Sequence, residues 1–114
     1  MSCVERLGEE GNGFGIFAHA MEWERGFILA GAVGAMQYTL ERSRQYARSR
    51  RQFGKPIAGF QLVSSKIVDM QMRLETSRML LYKVAALKAT ARPAILEAAM
   101  AKLHISESWV QTCL

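Results

Sequence analysis

Arg50-Arg51-Gln52-Phe53-Gly54-Lys55-Pro56-Ile57, with Phe60-Gln61 just beyond, is the stretch whose reading decides the fold. It separates two long helical patterns. Arg50 and Arg51 stand where a helix should end, where cations suit the negative pole of its dipole. Gly54 and Pro56 stop that helix and reverse the chain. Two helices joined by so short a corner must run antiparallel. The same corner collects cations and an aromatic ring, and a guanidinium fork matches phosphate oxygens two at a time. Local chemistry leaves two readings open: a basic helix end with a tight turn, or a phosphate clamp.

Downstream, Val63, Ile67, Met70, Leu74, Ser77, Leu81 and Val84 repeat at alternating steps of four and three. That is the buried seam of an antiparallel bundle helix, expected from about Gly59 to Lys88. Asp69, Arg73, Glu75, Arg78 and Lys83 fall off the seam, in water or in ion pairs. Ser64-Ser65 near its start suit local backbone capping, and Met70, Met72, Met79 and Met100 suit core filling. Upstream, a first helix is expected from Ile16 or Trp23 to Ser49, with a break near Met21. Its run Leu29-Ala-Gly-Ala-Val-Gly-Ala-Met36 allows close approach of a neighbour. Gly31 and Gly34 each cost about 1 kcal/mol against Ala in a helix, which packing must offset. A third helix opens near Pro93, with Glu97 in its early turns and Leu96, Ala99, Leu103, Ser106, Val110 and Cys113 as its seam. The fold class is therefore an all-α antiparallel bundle. Residues 1–15, with four glycines between Leu7 and Gly15, read as a loop.

The 114 residues suffice for one domain with a modest core, and 50% hydrophobic against 22% charged residues favours folding over disorder. The formal charge of +5 is concentrated in Arg42, Arg44, Arg48, Arg50 and Arg51. A local cluster fits a phosphorylated ligand as well as nucleic acid, and no nucleic-acid motif accompanies it. Cys3 and Cys113 make neither a disulfide framework nor a metal spacing, and no metal is expected. No apolar run approaches the length of a membrane span. His19 and His104 lack catalytic partners at useful spacing and suit structural roles.

Glu24, in Met21-Glu22-Trp23-Glu24-Arg25-Gly26, admits two readings. It is either a helix-start acid favoured by the dipole or paired to Arg25, or a partly desolvated general base able to take a carbon-bound proton.

R-x-Q-F-G-K-P-I with the following F-Q resembles the corner between two helices in the C-terminal domain of flavin-dependent acyl-CoA dehydrogenases. Trp23-Glu24-Arg25-Gly26 and the small-residue run resemble the preceding helix. Val68-Asp69-Met70 and Arg73-Leu74-Glu75-Thr76-Ser77-Arg78 resemble the next one. Ala98-Ala99-Met100-Ala101-Lys102-Leu103 and Ser106-Glu107 resemble the third. The similarity covers about Leu7 to Leu114. It implies that residues 1–15 are the exit from a missing middle β-domain, and that 16–114 are a truncated helical domain. The implied activity is α,β-dehydrogenation of an acyl thioester, carried by CoA or an acyl carrier protein, with hydride passing to FAD. An electron-transferring flavoprotein or oxygen would reoxidise the flavin. Glu24 matches the acid that one subgroup, including isovaleryl-CoA dehydrogenase, uses as base; other members place theirs beyond the third helix. Arg25 would lie near the substrate, where a structural pair with Glu22 or with a carboxylate elsewhere is the alternative. Arg50, Gln52, Phe53, Phe60 and Gln61 match positions that reach the FAD of a neighbouring subunit, Arg50 at its pyrophosphate. The resemblance further implies a dimer or tetramer, in bacterial cytoplasm or a mitochondrial matrix. A non-catalytic helical assembly module is the rival expectation.

Overall fold

The two long apolar repeats fold back on one another at the Gly54–Pro56 corner, in a computed structural model that describes residues 6–114. Four helices follow in order: α1 (Gly13–Phe27), α2 (Ala30–Ser49), α3 (Gln61–Ala89) and α4 (Ile95–Cys113). Between α2 and α3 lies a miniature hairpin, β1 (Arg51–Gln52) and β2 (Lys55–Pro56), then one 3-10 turn at Ile57–Gly59. The strands are antiparallel, with Arg51 opposite Pro56 and Gln52 opposite Lys55. The all-α class stands with this small addition.

The α3 seam is where the repeat puts it: Leu74, Ser77 and Val84 are buried, and Ile67, Met70 and Leu81 pack at its edges. From α2, Val33, Met36 and Leu40 enter the same core. These three are spaced three and four apart, one face of a helix. Off the α3 seam, Arg78 pairs with Glu75 (3.1 Å) and Lys83 with Glu97 of α4 (3.5 Å). The Thr76 hydroxyl lies 2.8 Å from the Met72 carbonyl and shares a hydrogen bond with His104 Nε2 (2.9 Å), which links α3 to α4.

Several boundaries differ from expectation. The break in the first helical pattern falls at Ile28–Leu29, not near Met21. It lies between Gly26 and Gly31, where helix propensity is weakest. The loop ends sooner, because α1 already starts at Gly13; residues 1–5 of the expected loop, Cys3 among them, lie outside the described residues. Pro93 precedes α4 rather than opening it, with Ala94 at the N-cap.

The α4 seam is the substantive correction. Leu96, Leu103 and Val110 are exposed, whereas Ala94, Ala98, Ala101, Ile105, Ser108 and Thr112 are buried. Both sets alternate fours and threes, but they are offset by two positions, about 200° around the helix. The face that docks is the one whose alanines permit close approach to α3, α1 and α2; Leu96, Leu103 and Val110 point away. Of the methionines expected as core filler, Met70 packs against the core, while Met72, Met79 and Met100 are exposed. Among the described residues, Met36 is the one methionine fully buried.

Candidate functional site

Two clusters of singled-out residues emerge, at opposite ends of α2. The first is the hairpin corner. Its two turn residues, Phe53 and Gly54, both have positive φ (49° and 79°), the pattern of the tight primed turns that match strand twist. Glycine adopts this freely; a phenylalanine does so at a cost. Phe53 nonetheless occupies it and is 91% exposed. Backbone strain of this kind is more frequent at binding sites than elsewhere. Phe53 meets Phe60 edge-on with 6.1 Å between ring centres, and the Lys55 ammonium lies 4.4 Å from the centre of the Phe60 ring.

The paired arginines divide their work. Arg51 donates to the Gly54 carbonyl (2.8 Å) and so braces the turn. Arg50 caps α2 with its backbone: its N–H reaches the Tyr46 carbonyl, and its own carbonyl accepts from Ile57 N–H (2.8 Å each). The Arg50 side chain is exposed and makes no hydrogen bond or ion pair among the described residues. Gln52 is exposed on β1. Gln61 opens the 29-residue helix α3, whose first N–H groups and dipole favour an anion. The structure thus gathers Arg50, Gln52, Phe53, Phe60 and Gln61 at one corner. The set offers a charged fork, an amide and open aromatic faces, which fits a dinucleotide's pyrophosphate and ring.

The second cluster is on α1. Glu22 is spent: its Oε1 accepts from Lys88 Nζ (2.7 Å) and from Ala94 N–H (2.6 Å). These two donors hold its carboxyl below the usual carboxylate range; His19 adds a weaker pull the same way. Arg25 therefore does not have Glu22 as its partner. It lines a small cleft of about 170 Å³ with Phe14, Phe17, Met21 and Ile95. Glu24, two residues on, is exposed and makes no side-chain contact of either polar kind among the described residues. The Trp23 and Phe27 rings do not enclose it; they stack on each other at 5.7 Å, and Trp23 N–H donates to His19 (3.3 Å). The apolar enclosure expected of a general base is not supplied by this chain's helices.

The structure separates Glu24 from the hairpin by the length of α2, about 30 Å for 20 residues. Sequence reasoning missed two features, the Glu22–Lys88–Ala94 junction and the strained Phe53. The first joins residues 72 apart and has no local signal. The second was written in the two-residue connection Phe53-Gly54 between Gln52 and Lys55.

The model of the acyl-CoA dehydrogenase C-terminal domain family matches residues 11–113, and the chain belongs to that family. It is 45% identical over 104 residues to L-prolyl-[peptidyl-carrier protein] dehydrogenase of Pseudomonas fluorescens, an alignment covering 91% of this chain and 27% of that protein. The crystal structure of the prolyl acyl carrier protein oxidase AnaB matches with a TM-score of 0.95 at 58% identity, covering 99% of this chain and 30% of that one. The FAD complex of PigA matches with a TM-score of 0.89 at 44% identity, over 95% of this chain and 28% of the other. The chain thus spans less than a third of the length of these relatives. No helix among the described residues is long and apolar enough to cross a membrane.

Proposed function

We propose that this chain is the helical C-terminal part of an FAD-dependent dehydrogenase that oxidises an acyl thioester between its α and β carbons, and that the thioester is an amino-acyl, prolyl-type group on a carrier protein. Membership of the family supports the reaction class. The likeness to two prolyl-carrier-protein enzymes supports the carrier and the acyl group. The residues before α1 then lead in from a preceding β-domain, and further helical chain completes the bundle.

One observation carries the assignment of roles. Of the two acids in Glu22-Trp23-Glu24, Glu22 is committed to Lys88 and Ala94, while Glu24 has no polar partner among the described residues and stands on the accessible side of α1. Glu24 takes the proton from the carbon next to the thioester carbonyl. Arg25, in its cleft beside α1, holds the acyl group or its arm. FAD, when bound, supplies the hydride acceptor. The hairpin corner holds that cofactor through Arg50, Gln52, Phe53, Phe60 and Gln61. Some 30 Å of α2 lies between base and corner, a span that supports the family resemblance in giving the two ends of α2 to different FAD molecules. The corner therefore serves the FAD of a neighbouring subunit, and the working unit is at least a dimer. Reoxidation falls to an electron-transferring flavoprotein or to oxygen. Burial of Glu24, which the described residues do not supply, comes from the preceding domain, the substrate and the flavin.

The test uses the full-length enzyme. Glu24→Gln keeps shape and hydrogen bonding but cannot accept the proton. Flavin reduction by the acyl thioester should slow by a factor of about 100 or more, with FAD content and thioester affinity preserved. Near-normal reduction in this variant would move the base elsewhere.

A further inference from the structure

Glu24 sits on a helix that is pinned on both sides of it. On the N-terminal side, one oxygen of Glu22 joins three elements: α1, the last turn of α3 through Lys88, and the cap of α4 through Ala94 N–H. Both side chains of the ion pair are almost out of water, at 10% exposed for Glu22 and 8% for Lys88. The Lys88 ammonium also lies 4.9 Å from the centre of the Trp23 ring. On the C-terminal side, Gly26 is buried against α3 and α4. A Cβ there would come within 2.8 Å of Val84 Cγ1 and 3.9 Å of the Ala98 methyl. Between these two anchors stand Glu24 and Arg25, both exposed. Residues 22 and 24 are about 200° apart around the helix, so turning Glu22 inward turns Glu24 outward.

We infer that the junction of Glu22, Lys88 and the Ala94 N–H is a positioning device. It sets the direction of Glu24, and Glu22 and Lys88 act on turnover through Glu24 without touching substrate or cofactor. This rests on the reading of Glu24 as the base. The junction is built asymmetrically: the Ala94 N–H needs an acceptor at position 22, and the carboxylate needs a cation from position 88. A misplacement of about 1 Å at a reacting group can cost about 100-fold in rate, so a small rotation of α1 suffices.

The experiment is a cycle of variants in the full-length holoenzyme, read by the rate of flavin reduction at saturating thioester. Lys88→Met should slow reduction by about tenfold or more, with thioester affinity within about twofold of the parent. Lys88→Arg, which keeps the charge, should restore most of the rate. Lys88→Met added to Glu24→Gln should slow the reaction no further, because the device acts only through Glu24. Glu22→Gln, which still offers an oxygen to Ala94 N–H, runs the same cycle should Lys88→Met not fold. Independently of activity, backbone hydrogen exchange of the FAD-free protein should accelerate at Trp23–Phe27 in Glu22→Gln, and not in the 51–56 hairpin. A normal rate in Lys88→Met, or losses that multiply in the double variant, overturns the inference and leaves Glu24 as base. A normal rate in Glu24→Gln alone removes the base and this inference together.

Discussion

Glu22 and Glu24 are separated by one residue and have opposite fates. A carboxylate with a lowered folded-state pKa stabilises the fold above its ordinary value, 4.5 for Glu22, and loses that contribution as pH falls through the lower folded value. The difference in melting temperature between the parent chain and Glu22→Gln should therefore be full at neutral pH and close up in acid. A gap that persists unchanged well below the carboxylate range would mean that the charge of Glu22 is not what stabilises the junction. Glu22 is for the same reason no neutral control for Glu24, although adjacency in sequence suggests one. At the corner, Arg50 and Arg48 separate by similar logic. Arg50→Ala in the full-length enzyme should weaken FAD retention by about 1.5–3 kcal/mol, the worth of a charge-assisted phosphate contact, and Arg48→Ala by much less. Equal FAD affinity in the two variants would take Arg50 out of the site.

The glycines of the first two helices show how packing decides the sign of one substitution. Gly26 on α1 faces Val84, whose branched side chain is stiff and fully buried. Gly26→Ala should cost about 1–3 kcal/mol through overpacking. Gly31 and Gly34 on α2 have no atom near enough to touch an added methyl. In the isolated chain, Gly31→Ala should gain about 0.5–1 kcal/mol from helix propensity alone. Thermal unfolding of the two alanine variants checks both signs. If Gly31→Ala is neutral or stabilising in the chain alone but destabilises the full-length enzyme, that face of α2 is covered by the rest of the protein. The same contrast explains α4, whose alanine face docks because it can come close.

The molecule measures 75 × 26 × 19 Å, long and thin for 114 residues. So narrow a body cannot cover its own apolar side chains. Phe14, Phe17, Leu62, Met79, Leu96 and Leu103 are among the large ones left exposed. A cleft of about 590 Å³ lies between the second half of α2, the first half of α3 and the end of α4, lined by Tyr46, Ile67, Met70 and Leu114 among others. Expressed alone, residues 1–114 should self-associate and bind FAD weakly or not at all. Sedimentation and flavin absorbance check both; a monodisperse yellow monomer contradicts both, and colour alone would contradict the second.

Residue types and spacing were enough to establish the helical class, the position of the reversing corner and the buried seam of α3. Those features are local, or repeat along one element: glycine and proline chemistry at positions 54 and 56, and a three-four apolar period from Val63 to Val84. The same pattern carried the family resemblance, and with it the candidate residues at positions 24, 25, 50, 52, 53, 60 and 61. What needed the folded chain was everything set by one element against another. Periodicity on α4 is satisfied equally by two faces, and only contact with α1, α2 and α3 selects the alanines. Which acid of Glu22-Trp23-Glu24 is bound up and which is left open depends on Lys88 and Ala94, more than sixty residues downstream. Period and propensity act within a few residues of chain, whereas burial, pairing and the direction of a side chain are properties of the space between helices.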